Sequence, residues 1–101
     1  MSSLLKQAQE MQRRLQDTQK SLAERVIEGS SGGGAVKVQV NGNQELVGIR
    51  IAPEAVDPDD VDALEDMVAG ALRQALAEAK TLRDTEMAKV TGGMNLPGLG
   101  F

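Results

Sequence analysis

The sequence predicts a single α/β (α+β) domain over residues 1–101: a long N-terminal helix, a three-stranded antiparallel meander, a second long helix and an apolar tail. Three observations predict it. Apolar residues recur at alternating steps of four and three through the first two dozen positions, alternate singly through the middle of the chain, and return to helical spacing after residue 60. Gly and Pro gather between these segments, as expected of boundaries. At 101 residues, with one Phe and no Trp or Tyr, the core must come from Ala, Val, Leu, Ile and Met, so each copy buries a modest core that a second copy would complete.

Residues 1–25 contain "SSLLKQAQEMQRRLQDTQKSLAER". Leu4, Ala8, Met11, Leu15, Thr18 and Leu22 form a heptad-like seam, broken in hydrophobicity at Thr18. Strong helix formers fill the rest, and twenty such residues reach about 30 Å. A helix with one narrow stripe requires a partner for that stripe.

Residues 26–52 change period. Val36, Val38 and Val40 alternate with Lys37 and Gln39, and Val47, Ile49 and Ile51 alternate with Gly48 and Arg50. "NGN" between them reads as a hairpin turn, because Asn and Gly accept positive φ. Val26 and Ile27 begin a first strand, with "GSSGGG" as the flexible turn into the second. An edge strand of so small a sheet invites pairing with another copy, which places Val36, Val38, Val40, Val47, Ile49 and Ile51 among candidates for a dimer interface or a dock for the tail.

Residues 57–91 read as the second helix. Asp57 suits the N-cap, Pro58 the first helical position and Asp60 the capping-box position. Val61, Leu64, Val68, Leu72, Ala75, Ala79 and Leu82 supply its apolar face, and Gly92 its stop. The tail, residues 92–101, carries Met94, Leu96, Leu99 and Phe101 among glycines; side chains of that kind are expected to dock on an apolar surface of their own assembly.

Composition excludes several chemistries. Without Cys or His there are no disulfides, no thiolate zinc site and no imidazole base, so neither catalysis nor a metal or cofactor is expected. "DPDDVD" fails as a calcium loop, since its sixth position is Asp62 and its twelfth Val68. "GSSGGG" lacks the Lys-Ser/Thr of a phosphate loop. No apolar run approaches a membrane span and no signal peptide opens the sequence, which makes the cytoplasm the expected location and a membrane an unexpected partner.

The net charge of -4 is unevenly spread: residues 1–53 hold seven Lys/Arg against five Asp/Glu, and seven acids crowd Glu54 to Asp66 with no base among them. In the first helix Lys6, Arg13 and Lys20 recur every seven residues opposite the seam. Such a stripe can lie beside phosphates. Glu10, Asp17 and Glu24 recur in step with it, so spacing alone reads more simply as a solvating ladder of ion pairs. Arg14 and Arg25 lie off that ladder, and Arg73, Lys80, Arg83 and Lys89 form a looser group in the second helix.

Three ordered segments resemble the YbaB/EbfC family of bacterial nucleoid-associated proteins: "LLKQAQEMQRRLQ" at 4–16, "AVKVQVNGNQELVGIRIAPEAV" at 35–56 followed by "ALEDMVAGALRQALAEA" at 63–79, and "GGMNLPGLGF" at 92–101. The resemblance implies a strand-mediated homodimer with projecting helical arms, which binds double-stranded DNA with little sequence preference and influences nucleoid organisation and gene expression. It carries DNA contact onto Lys6, Arg13, Arg14 and Lys20 of the first helix and, by helix continuity, onto Lys80, Arg83 and Lys89. It implies a place in the cytoplasm at the nucleoid, and no small-molecule substrate. The alternative from the residues themselves is a non-enzymatic interaction module whose helical arms clasp another protein.

Overall fold

A computed structural model of the chain describes residues 2–91. Helix α1 (Ser2–Glu24) leads into strands β1 (Val26–Ser31), β2 (Val36–Asn41) and β3 (Leu46–Ile51), and helix α2 (Val61–Val90) follows. The strands form one antiparallel sheet in the order β1-β2-β3, so β2 is central and β3 is an edge. The helix stop assigned to Gly92 and the tail residues Met94, Leu96, Leu99 and Phe101 lie outside the described residues.

Helix α2 lies across β1 and β2. Val36, Val38 and Val40 of β2 are fully buried against Ala71, Ala75 and Ala79, with Leu64, Val68, Leu72 and Leu76 half-buried around them. The crossing point is Gly29 of β1. A Cβ there would stand 2.8 Å from the Ala75 nitrogen and closer still to the Ala71 carbonyl oxygen, so glycine lets the helix backbone touch the strand. This contact explains why the buried face of α2 centres on alanines, Ala75 and Ala79 as expected together with Ala71, while Val61, at the helix start, remains exposed. Polar bonds hold the crossing in register: the Ser30 N–H donates to Gln74 Oε1 at 2.8 Å, and Ser31 Oγ donates to the Met67 carbonyl.

Three expectations are corrected in detail. The α2 N-cap is Asp60, whose carboxylate accepts from the Ala63 N–H at 3.3 Å, while Asp57 accepts from the Asp59 N–H at 2.9 Å in the turn before it. Positive φ in the β2–β3 turn falls on Gln44 rather than on the Asn or Gly residues, because Asn41 takes the turn over: its Oδ1 accepts from the N–H groups of Asn43 and Glu45. And Val36, Val38 and Val40 are sealed beneath their own α2, so they offer nothing to a partner or tail; within the sheet, exposed apolar surface falls to Val26, Leu46, Val47, Ile49 and Ile51.

The sheet holds helix α1 at its C-terminal end, and α2 lies beside its middle turns. Leu22 is buried against Gly42, whose N–H donates to the Leu22 and Arg25 carbonyls at 2.8 and 3.0 Å, while Asn43 Nδ2 donates to the Gln19 carbonyl. Met11, Leu15 and Thr18 are half-buried, whereas residues 3–10 are exposed at every position and Leu4 is 66% exposed. The first turns of α1 therefore project as an arm.

Candidate nucleic-acid interface

The cations of α1 occupy two positions. At about 100° per residue, Arg13 sits on the side opposite Met11, as do Lys6 and Lys20, while Arg14 flanks the seam. Glu10 is shared: its Oε1 lies 3.9 Å from Arg13 Nη2 and 3.3 Å from Arg14 Nη2. One carboxylate cannot neutralise two guanidinium groups, and Lys6 and Lys20 form no ion pair among the described residues. The ladder suggested by the heptad spacing is thus incomplete, for Asp17 and Glu24 also form no ion pair among the described residues; with Arg14 counted, α1 carries four bases against three acids.

The same arrangement recurs where the helices meet. Glu86 Oε1 lies 3.2 Å from Lys89 Nζ and 3.7 Å from Arg25 Nη1, again one acid between two bases. Arg14 and Lys89 line a common groove of about 230 Å³ with Asp17, Thr18 and Val90. The fold therefore brings Arg14, Lys89 and Glu86 together at the base of the arm. It leaves Lys6, Arg13 and Lys20 on the outer side of α1, and Lys80 and Arg83 exposed on α2 without ion pairs among the described residues. Arg25, to which no DNA contact was assigned from the sequence, joins this junction; its position off the charge ladder, immediately before β1, was the available signal.

The acidic segment sits elsewhere. Asp57 to Asp66 lie at and just before the N-terminal turns of α2, where the helix dipole favours negative charge, and Lys89 lies in its last turn. Thirty residues of helix separate the two ends by about 45 Å, several Debye lengths at physiological salt. The net negative charge thus does not cancel the cations at the far end. Among the described residues no acidic cluster is arranged to hold a metal ion, and no helix is long and apolar enough to cross a membrane.

A protein-family model described as the YbaB/EbfC DNA-binding family matches residues 1–94. The chain belongs to the YbaB/EbfC DNA-binding family. Nucleoid-associated protein TTE0040 of Caldanaerobacter subterraneus subsp. tengcongensis is 50% identical over 99 residues, spanning 98% of this chain and 89% of that one. A nucleoid-associated protein of Alkaliphilus metalliredigens is 46% identical, spanning 98% of this chain and 87% of that one. The crystal structure of the uncharacterized protein HP0035 from Helicobacter pylori superimposes with a TM-score of 0.76 at 24% identity, covering 84% of this chain and 89% of that one, and shares the fold. The family is one of nucleoid-associated DNA-binding proteins rather than of enzymes.

Proposed function

We propose that the protein is a homodimer that binds double-stranded DNA through its phosphate backbone, largely without sequence preference, and acts at the nucleoid in the cytoplasm on chromosome organisation and gene expression. The observation that carries the reading is the twofold sharing of one carboxylate by two cations, at Glu10 and at Glu86, in a member of a DNA-binding family. Cations left in excess on a projecting helix can exchange a shared acid for phosphates, and counterion release then drives association. Arg13, Arg14, Lys6 and Lys20 are the primary contacts of the reading; Lys80, Arg83 and Lys89 extend it along α2.

Dimerisation is supported by β3. Residues directly opposite in an antiparallel pair share a face, so Leu46, Ile49 and Ile51, opposite Val40, Val38 and Val36, lie on the side of the sheet that α2 covers. Yet α2 stops short of them: Ile49 is 46% exposed. A second copy pairing at this edge covers that surface and satisfies the free backbone groups together.

The competing reading, a protein clasp, draws on the exposed Leu4 and Leu5 of the arm. Salt separates the two. Titration of random duplex DNA at several salt concentrations is expected to give a steep, linear loss of log affinity with log salt. Changing Arg13 and Arg14 together to Ala is expected to weaken binding to every sequence alike and to flatten that slope by about two units per engaged copy. A wild-type protein without salt-dependent DNA affinity, or a double variant of unchanged affinity with assembly intact, refutes the assignment of contact to α1.

A further inference from the structure

The face of the sheet turned away from α2 carries a charge pattern that neither the arms nor the β3 edge employs. Register places Ser30, Lys37 and Arg50 in one row across the three strands, and Glu28, Gln39 and Gly48 in the next. Lys37 and Arg50 are thus directly opposite each other, on one face, and both are exposed. Like charges in that relation repel and weaken strand pairing. A carboxylate could relieve them, yet neither residue forms an ion pair among the described residues. Glu28, the acid of the adjoining row, accepts instead from Gln39 Nε2 at 3.3 Å.

The surroundings are low and open. Ser30 and Gly48 are small, and the turn Gly32–Gly34 that flanks Lys37 carries no side chains. A Cβ at Gly33 would meet nothing within 4 Å, and one at Gly34 would meet only Lys37 Cε, at 3.9 Å. Two exposed cations among small neighbours on an open sheet face suit an extended polyanion rather than a small ligand.

We propose that the outer sheet face, at Lys37 and Arg50, is a second phosphate-backbone contact surface for duplex DNA, separate from the helical arms. The proposal rests on the DNA-binding reading above. It assigns the repulsion between the two cations a purpose: the pair is unfavourable in the free protein and relieved by phosphate. In a dimer paired along β3, the two outer faces become one continuous surface with two such pairs.

The test exploits the opposition between stability and binding. Arg50→Glu converts the repulsive pair into a cross-strand ion pair. It is expected to raise the melting temperature while lowering affinity for random duplex DNA by about eightfold near 0.1 M salt and flattening the salt slope by about one unit per copy. Arg73→Glu, on α2, makes the same change in net charge away from the row and is expected to leave affinity within about twofold. Lys37→Glu, on the central strand, repeats the measurement away from the β3 edge if Arg50→Glu alters the oligomer's mass. Equal losses in the residue 50 and residue 73 variants, or unchanged binding in both sheet variants, overturn the proposal. If the Arg13/Arg14 double Ala variant still weakens binding in those cases, the DNA-binding reading stands without the sheet surface. If wild-type protein does not bind duplex DNA, both fall.

Discussion

Replacing Gly29 by Ala tests the contact that sets the position of α2. The added Cβ would lie 2.8 Å from the Ala75 nitrogen, 3.0 Å from the Ala75 Cβ and closer still to the Ala71 carbonyl oxygen. Ordinary contact needs at least about 3.4 Å, and the obstructing atoms include helix backbone, which cannot rotate away as a side-chain end can. Helix α2 must therefore lift from β1 or slide along it, disturbing the packing of Val36, Val38 and Val40 on Ala71, Ala75 and Ala79. Overpacking of this kind costs about 1–3 kcal/mol. The reduced freedom of the unfolded chain on Gly→Ala returns about 0.4–1 kcal/mol. The net loss of about 1–2 kcal/mol corresponds to a fall in melting temperature of roughly 5–15 °C for a domain of this size. Thermal unfolding by circular dichroism, at one protein concentration for all variants, is the assay. Gly48→Ala is the matched control: its Cβ would meet only Gln39 Oε1, at 3.9 Å, so it is expected to be neutral or slightly stabilising. Adding Ala75→Gly to Gly29→Ala should not rescue, because the main obstruction is backbone. A Gly29→Ala protein that melts at or above the wild type refutes the close crossing of α2 on β1.

Glu10→Lys removes the acid shared by Arg13 and Arg14. DNA affinity should rise severalfold at low salt with a stability change within about 1 kcal/mol, since exposed pairs contribute little; unchanged affinity would place the contact surface elsewhere. Ile49→Asp puts a charge on the surface of β3 that α2 leaves exposed, and light scattering at micromolar concentration should show loss of the dimer while a single chain keeps its secondary structure. A dimer that persists would place the interface away from β3. Deleting residues 94–101 removes Met94, Leu96, Leu99 and Phe101 and is expected to lower the melting temperature or the oligomer's mass. Unchanged stability, mass and DNA affinity would show that the tail docks nowhere.

What the sequence determined by itself was the order and kind of the elements. Heptad spacing from Leu4 to Leu22, alternation from Val36 to Val40 and from Val47 to Ile51, and helical spacing after Val61 each impose a period, and a period selects helix or strand before any tertiary contact forms. The three ordered segments also carried the family. Tertiary structure alone decided which apolar residues became core. Val36, Val38 and Val40 share their alternation with Val47, Ile49 and Ile51, yet α2 covers the first set and leaves the second exposed, a difference of sheet position invisible in local pattern. Gly29 and Gly42 read as ordinary glycines until α2 and Leu22 were brought against them. The charges followed the same division. Spacing within one helix already allows Glu10 to serve Arg13 and Arg14, at i,i+3 and i,i+4, but only packed geometry could bring Arg25 to the Glu86 that also serves Lys89. Strand register, a long-range property, set Lys37 against Arg50 across thirteen residues of sequence.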